Sequence, residues 1–149
     1  MQARRARSHI IARTNFFGRA PAWKPSLSDQ VLARLRAGHG FNGFTDVYFT
    51  PIAVALAAEW LIDMVEAGLH GTFHLAGRDR ISKYDFSVEV AKAAGLDASA
   101  IKPGRIADAK LTATRPSEMS LSTRKIEKAL GRAVPNLDQS IHSSLASVA

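Results

Sequence analysis

The chain has 149 residues, enough for one domain with its own core and too few for two of ordinary size. Hydrophobic residues make up 46% and charged residues 22%, the balance of a globular protein and not of a disordered or fibrous one. There is no cysteine, which excludes disulfides, thiolate metal sites, iron–sulfur clusters and cysteine nucleophiles together, and fits a cytoplasmic setting.

The longest apolar stretch, PIAVALAAEWLIDMV at 51–65, is broken by Glu59 and Asp63 and falls short of the roughly 20 residues a membrane span needs. The Arg4–Arg5 pair precedes no apolar signal core, because the chain returns to arginine and histidine within a few residues, so secretion is not expected. Net charge is +7, and residues 1–28 hold Arg4, Arg5, Arg7, Arg13, Arg19 and Lys24 with no acid among them. Such asymmetry invites a nucleic-acid reading. Against it, aromatics are few, no recognition-helix or zinc-knuckle pattern is present, and beyond residue 28 bases and acids interleave. Residues 1–8 read as a disordered basic leader and 9–149 as the folded unit.

In chain order, HIIART at 9–14 reads as a strand. Ser26, with Asp29 three residues on, opens a helix whose Leu27, Val31, Leu32 and Leu35 share a face. DVYFT at 46–50 reads as a strand, and a second helix is predicted with Thr50 as its N-cap and Pro51 at its first position. GTFHLA at 71–76 is a third strand. Ser82, with Asp85, opens a helix carrying Phe86, Val90 and Ala94 along one side. STRKIEKAL at 122–130 turns Ile126, Ala129 and Leu130 inward, and a last amphipathic segment follows Pro135 with Leu137, Ile141 and Leu145. Gly38, Gly68, Gly95 and Gly131 each close a helical pattern, where a left-handed C-terminal residue belongs. The result is an α/β chain, mostly helical, with strands too few for a complete doubly wound sheet.

Several patterns mimic chemistry. Residues 38–43 spell GxGxxG, but a dinucleotide fingerprint follows a strand and opens a helix, whereas this run follows a helix and precedes a strand, so a turn is expected. His70 and His74 have the spacing of a helical zinc pair, yet they enter a strand, where four positions separate side chains by about 13 Å. Glu59, Asp63 and Glu66 line one stripe of the second helix and read as a solvated face. No GxSxG elbow is present. Tyr48 and Tyr84 are the only tyrosines, and neither has a lysine four positions later.

Four blocks, IIARTNFFG at 10–18, GFTDVYFTPIAVALA at 43–57, GTFHLAGRDRISKYDFSVEVAKAAGL at 71–96 and RPSEMSLSTRKIEKALG at 115–131, resemble in order and spacing the C-terminal part of dTDP-4-dehydrorhamnose reductase-like proteins. The resemblance implies the C-terminal portion of an extended short-chain dehydrogenase, Rossmann-type fold. In that fold a larger half supplies NAD(P) binding and the Tyr/Lys pair, and this half closes over the nucleotide sugar. It places Thr14 beside the cofactor, and Asn15, Phe16, Asp46, Tyr48 and Arg115 around the substrate. Asn15 suits a sugar hydroxyl or phosphate, Phe16 a ring face or simple core packing, and Arg115 a diphosphate gripped by its guanidinium fork. Gly43-Phe44-Thr45 stands where some relatives place an arginine, which weakens the case for Asp46 and Tyr48.

The reading is a nucleotide-sugar-binding half that holds no cofactor alone, with NAD(P)H implied for an intact relative. A Rossmann-half chain or a second copy is the expected partner. A non-catalytic interaction module of the same family, which also contains a regulatory subunit of methionine adenosyltransferase, and a basic nucleic-acid-binding domain are the alternatives.

Overall fold

The computed structural model describes residues 9–109 and 113–146. The expected leader at 1–8 lies outside them. Strand β1 (Ile10–Thr14) pairs in parallel with β6 (Gly71–Leu75), Ile10 opposite Gly71 and Thr14 opposite Leu75. Among the described residues β1 has no strand on its other side. After Asn15, which belongs to neither strand, comes β2 (Phe16–Phe17), which pairs in parallel with β5 (Ile52–Ala53).

Helix α1 (Leu27–Arg36) begins as its sequence dictates: the Ser26 hydroxyl accepts from the Asp29 amide, and the Asp29 carboxylate accepts from the Ser26 amide at 3.0 Å. The same reasoning holds for α3 (Lys83–Ala93), where the Ser82 hydroxyl accepts from the Asp85 amide at 3.0 Å. Helices α4 (Arg124–Leu130) and α5 (Leu137–Ala146) complete the set, α4 ending on Gly131 in the left-handed region at φ 66°.

Helix α2 (Val54–Glu66) corrects the expected start. Its N-cap is Ala53, which has no side chain to cap with, while Thr50 and Pro51 lie outside the helix. The cause is long-range: pairing with Phe16–Phe17 holds Ile52–Ala53 extended, and the Thr50 hydroxyl is spent on the Leu121 amide at 3.1 Å. The strand expected at 46–50 shrinks to β4 (Tyr48–Phe49), antiparallel to β7 (Ile81–Ser82). The glycine-rich run does not remain a turn throughout. Its second half is β3 (Phe41–Phe44), parallel to β8 (Ile101–Gly104). The glycines serve close approach: a Cβ on Gly40 would lie 2.5 Å from the Ala100 carbonyl oxygen, and one on Gly43 would lie 2.8 Å from the Tyr84 Cα.

Two cores result. One surrounds Phe86, which is fully buried and meets Phe17 and Phe49 edge-on at 4.9 and 5.2 Å, with Val31, Val90, Ile101 and Ile141 around them. The other packs Trp60 and Met64 of α2 against Phe73 and Leu75 of β6 and against Ile126 and Val134. The cleft described next opens between the carboxyl end of β1 and the Phe86 core.

Candidate functional site

Side chains at the carboxyl ends of parallel strands are the ordinary place for a ligand in an α/β fold. Thr14, Asn15 and Phe16 occupy that end of β1. The Thr14 hydroxyl is buried with no hydrogen-bond partner among the described residues. Asn15 donates through its amide nitrogen to the Met119 carbonyl at 2.8 Å and to the Thr50 hydroxyl at 3.3 Å. Its donor end is therefore committed to Met119 and Thr50, and its carbonyl oxygen, without a partner among the described residues, is left for a ligand hydroxyl. Phe16 is 63% exposed while Phe17 is 4% exposed, so the first phenylalanine is rim and the second is core.

Asn15 and Phe16 line a cavity of about 470 Å³ together with Trp23, Lys24, Phe49, Lys83 and Met119. Trp23 is 82% exposed, the most exposed large apolar side chain described. Lys83 stands over the Phe49 ring at 4.3 Å. Its amine is half-buried, and desolvation lowers its pKa from the ordinary value.

The remaining predicted residues lie elsewhere. Asp46 accepts from the Ile106 amide at 2.9 Å and pairs with Arg105 at 3.5 Å, fixing the single helical turn at 106–108. Tyr48 exchanges backbone hydrogen bonds with Ser117 and Met119, and its ring lies 3.7 Å beneath the Arg80 guanidinium, which pairs with Glu118 at 2.6 Å. Ser120, whose amide donates to Glu118 at 2.9 Å, and the Arg80 guanidinium together hold the Glu118 carboxyl at about 2. Arg115 is exposed, carries no ion pair among the described residues and lies outside the cavity lining, four residues before Met119. The structure thus brings Thr14, Asn15 and Phe16 to one strand end, attaches Tyr48 to the strap that carries Met119, and sets Asp46 apart.

Trp23 and Lys83 were not legible as site residues. Trp23 sits in a proline-flanked loop without pattern, and a lysine at a helix start reads as solvated. The other patterns resolve as architecture. Asp63 forms an ion pair with Arg132, which lies over Trp60 at 4.4 Å. The His74 ring bonds the Ser122 carbonyl oxygen, and among the described residues no cluster of three metal-ligating side chains forms. No helix described is long and apolar enough to cross a membrane.

This geometry is that of an α/β fold of the Rossmann type. The RmlD substrate binding domain matches residues 2–149, and the chain belongs to that family. A probable low-salt glycan biosynthesis reductase, Agl14 of Haloferax volcanii, is 31% identical over 111 residues, covering 74% of this chain and 37% of that protein. The dTDP-4-dehydrorhamnose reductase of Bacillus anthracis, solved in complex with NADP, superposes with a TM-score of 0.83 at 15% identity over 93% of this chain and 48% of its own. A dTDP-4-dehydrorhamnose reductase from Clostridium acetobutylicum gives 0.82 at 21% identity over 94% of this chain and 49% of its own. The chain therefore spans half or less of the length of these relatives.

Proposed function

We propose that this chain binds a nucleotide sugar of the dTDP-4-keto-6-deoxy type as the substrate half of a reductase, and transfers no hydride by itself. The observation that carries the reading is the cavity at the carboxyl end of β1, where Asn15 offers an acceptor without a partner among the described residues, beside the exposed ring of Phe16. The Asn15 carbonyl oxygen accepts from a sugar hydroxyl, and Phe16 covers the apolar face of the ring. Arg115 reaches the phosphates from the rim, and Tyr48 holds the strap that carries Met119. Asp46 acts only through the turn it anchors.

The fit to a dinucleotide is partial. The orphaned Thr14 hydroxyl suits a contact at the border of a cofactor, but residues 38–43 shape strand packing and offer no helix N-terminus to a pyrophosphate. NAD(P)H, bound mainly by a Rossmann half, supplies the hydride in an intact enzyme, while this chain's residues bind and orient the sugar. We infer that such a half covers the open edge of β1 and the exposed stripe of Val54, Leu61, Ile62 and Val65 on α2, and that a second copy substitutes for it when it is absent. A cytoplasmic setting accords with the absence of cysteine.

Calorimetric titration with dTDP tests the reading. We expect saturable binding that Phe16→Ala weakens several-fold without shifting the melting temperature, because the ring is exposed, and no NADPH oxidation with dTDP-4-keto sugars. Turnover by the purified chain, or no binding of dTDP, contradicts it.

A further inference from the structure

The cavity that holds Asn15 and Phe16 has a neighbour. A second cavity of about 340 Å³ is lined by Gln30, Arg34, Phe41, Asn42 and Ser87, and the two share Leu27 and Lys83 in their walls. Neither lining contains an aspartate or glutamate, whereas together they present Lys24, Arg34 and Lys83. A cavity elsewhere on the molecule is different: Arg78, Lys92 and His142 are balanced there by Asp79, Glu89 and Asp138. Acid-free walls with three cations make a field that favours an anion.

Lys83 is the best placed of the three. Its amine is half-buried against the Phe49 ring and forms no ion pair among the described residues, in contrast to Arg80, Lys92, Arg105 and Arg132. An ammonium removed from water without a counter-ion is costly, and a bound anion removes that cost. The capped start of α3 fixes its backbone, and the Lys83 amide donates to the Val47 carbonyl at 2.9 Å. Aromatic side chains stand on both sides of it, Phe16 and Trp23 in one cavity and Phe41 in the other.

We propose that Lys83 contacts the diphosphate from inside the site, with Arg115 only at the rim, holding the anionic centre of a nucleotide sugar whose sugar lies in the Phe16 cavity and whose base lies in the Phe41 cavity. The order ring, anion, ring along the two cavities matches the order of groups in such a ligand. Arg34 adds charge from the base side. This inference rests on the nucleotide-sugar reading above and adds a residue that the family resemblance did not supply.

The test uses the full chain with dTDP, inorganic pyrophosphate and thymidine as probes. Lys83→Met keeps the apolar stem and removes the charge; it should weaken dTDP and pyrophosphate at least tenfold and leave thymidine within about twofold, with Lys83→Arg intermediate. Lys92→Met, in the balanced cavity, should change none of the three. On the wild-type chain, saturating dTDP should shield Lys83 from an amine-acylating reagent, read by mass spectrometry, independently of how the variants fold. Unchanged dTDP affinity in a folded Lys83→Met, or equal acylation with and without bound dTDP, overturns the assignment and leaves the nucleotide-sugar reading standing. A wild-type chain that binds neither dTDP nor pyrophosphate overturns both.

Discussion

Arg115 and Glu118 sit three residues apart and have opposite fates. Arg115 is exposed and unpaired among the described residues, so its substitution should leave stability within about 0.5 kcal/mol. If it reaches the phosphates, Arg115→Ala loses a charge-assisted contact worth about 1.5 to 3 kcal/mol, a drop of at least roughly tenfold in dTDP affinity. Arg115→Lys should restore part of it, because charge survives and the planar fork does not. Calorimetry on the three proteins decides, and equal affinities would return Arg115 to the solvent. Glu118 is held in place by Ser120 and Arg80, which lower its carboxyl from 4.5 to about 2. A folded-state value below the unfolded one stabilises above pH 4.5 and is lost as the pH falls toward about 2. Thermal melts should show the advantage of the wild type over Glu118→Gln at pH 6 fading across that window. High salt should shrink it, since the pair is exposed. An advantage independent of pH would contradict the assignment.

At the scale of elements, the sequence was legible where the signal is local. Ser26 with Asp29 and Ser82 with Asp85 announce helix starts within one turn, and both caps form as expected. Thr50-Pro51 carries an equally good local signal, yet α2 starts at Val54, because Ile52–Ala53 pair with Phe16–Phe17 across 36 positions. Strands β3 and β8 were missed for the same reason: FNGF and IKPG lack alternation, and each is a strand only beside the other. Phe16 and Phe17 could not be ranked from sequence either: neighbours on a strand point to opposite faces, and which face is the core is set by the pairing with Ile52–Ala53. The role found for the glycine run yields a test. Gly43→Ala puts a Cβ 2.8 Å from the Tyr84 Cα and forces β3 away from α3. We expect a loss of about 1 to 3 kcal/mol in denaturant unfolding, the scale of overpacking a closed contact. A neutral substitution would mean that the contact relaxes freely.

Phe86 is fully buried at the centre of its core, whereas among the described residues the outer edge of β1 is unpaired and one face of α2 is exposed. Ile62 and Val65 are 58% and 66% exposed, on the face of α2 opposite Trp60 and Met64. We expect the isolated chain to self-associate at tens of micromolar concentration in sedimentation experiments, and Ile62→Lys to shift it toward monomer without loss of helix. A sharp wild-type monomer with a cooperative melt would instead mark a self-contained module. The site was half legible at this scale. Thr14, Asn15 and Phe16 lie in one contiguous block, whereas Trp23, Lys83 and Met119 join them only when three distant segments meet. Backbone amide chemical shifts of the labelled chain, titrated with a dTDP sugar, map where a nucleotide sugar lands. We expect saturable shifts concentrated at Asn15, Phe16, Lys83 and Met119; shifts confined to the cavity of Arg78 and Asp138, or none, would contradict binding in the cleft at the end of β1.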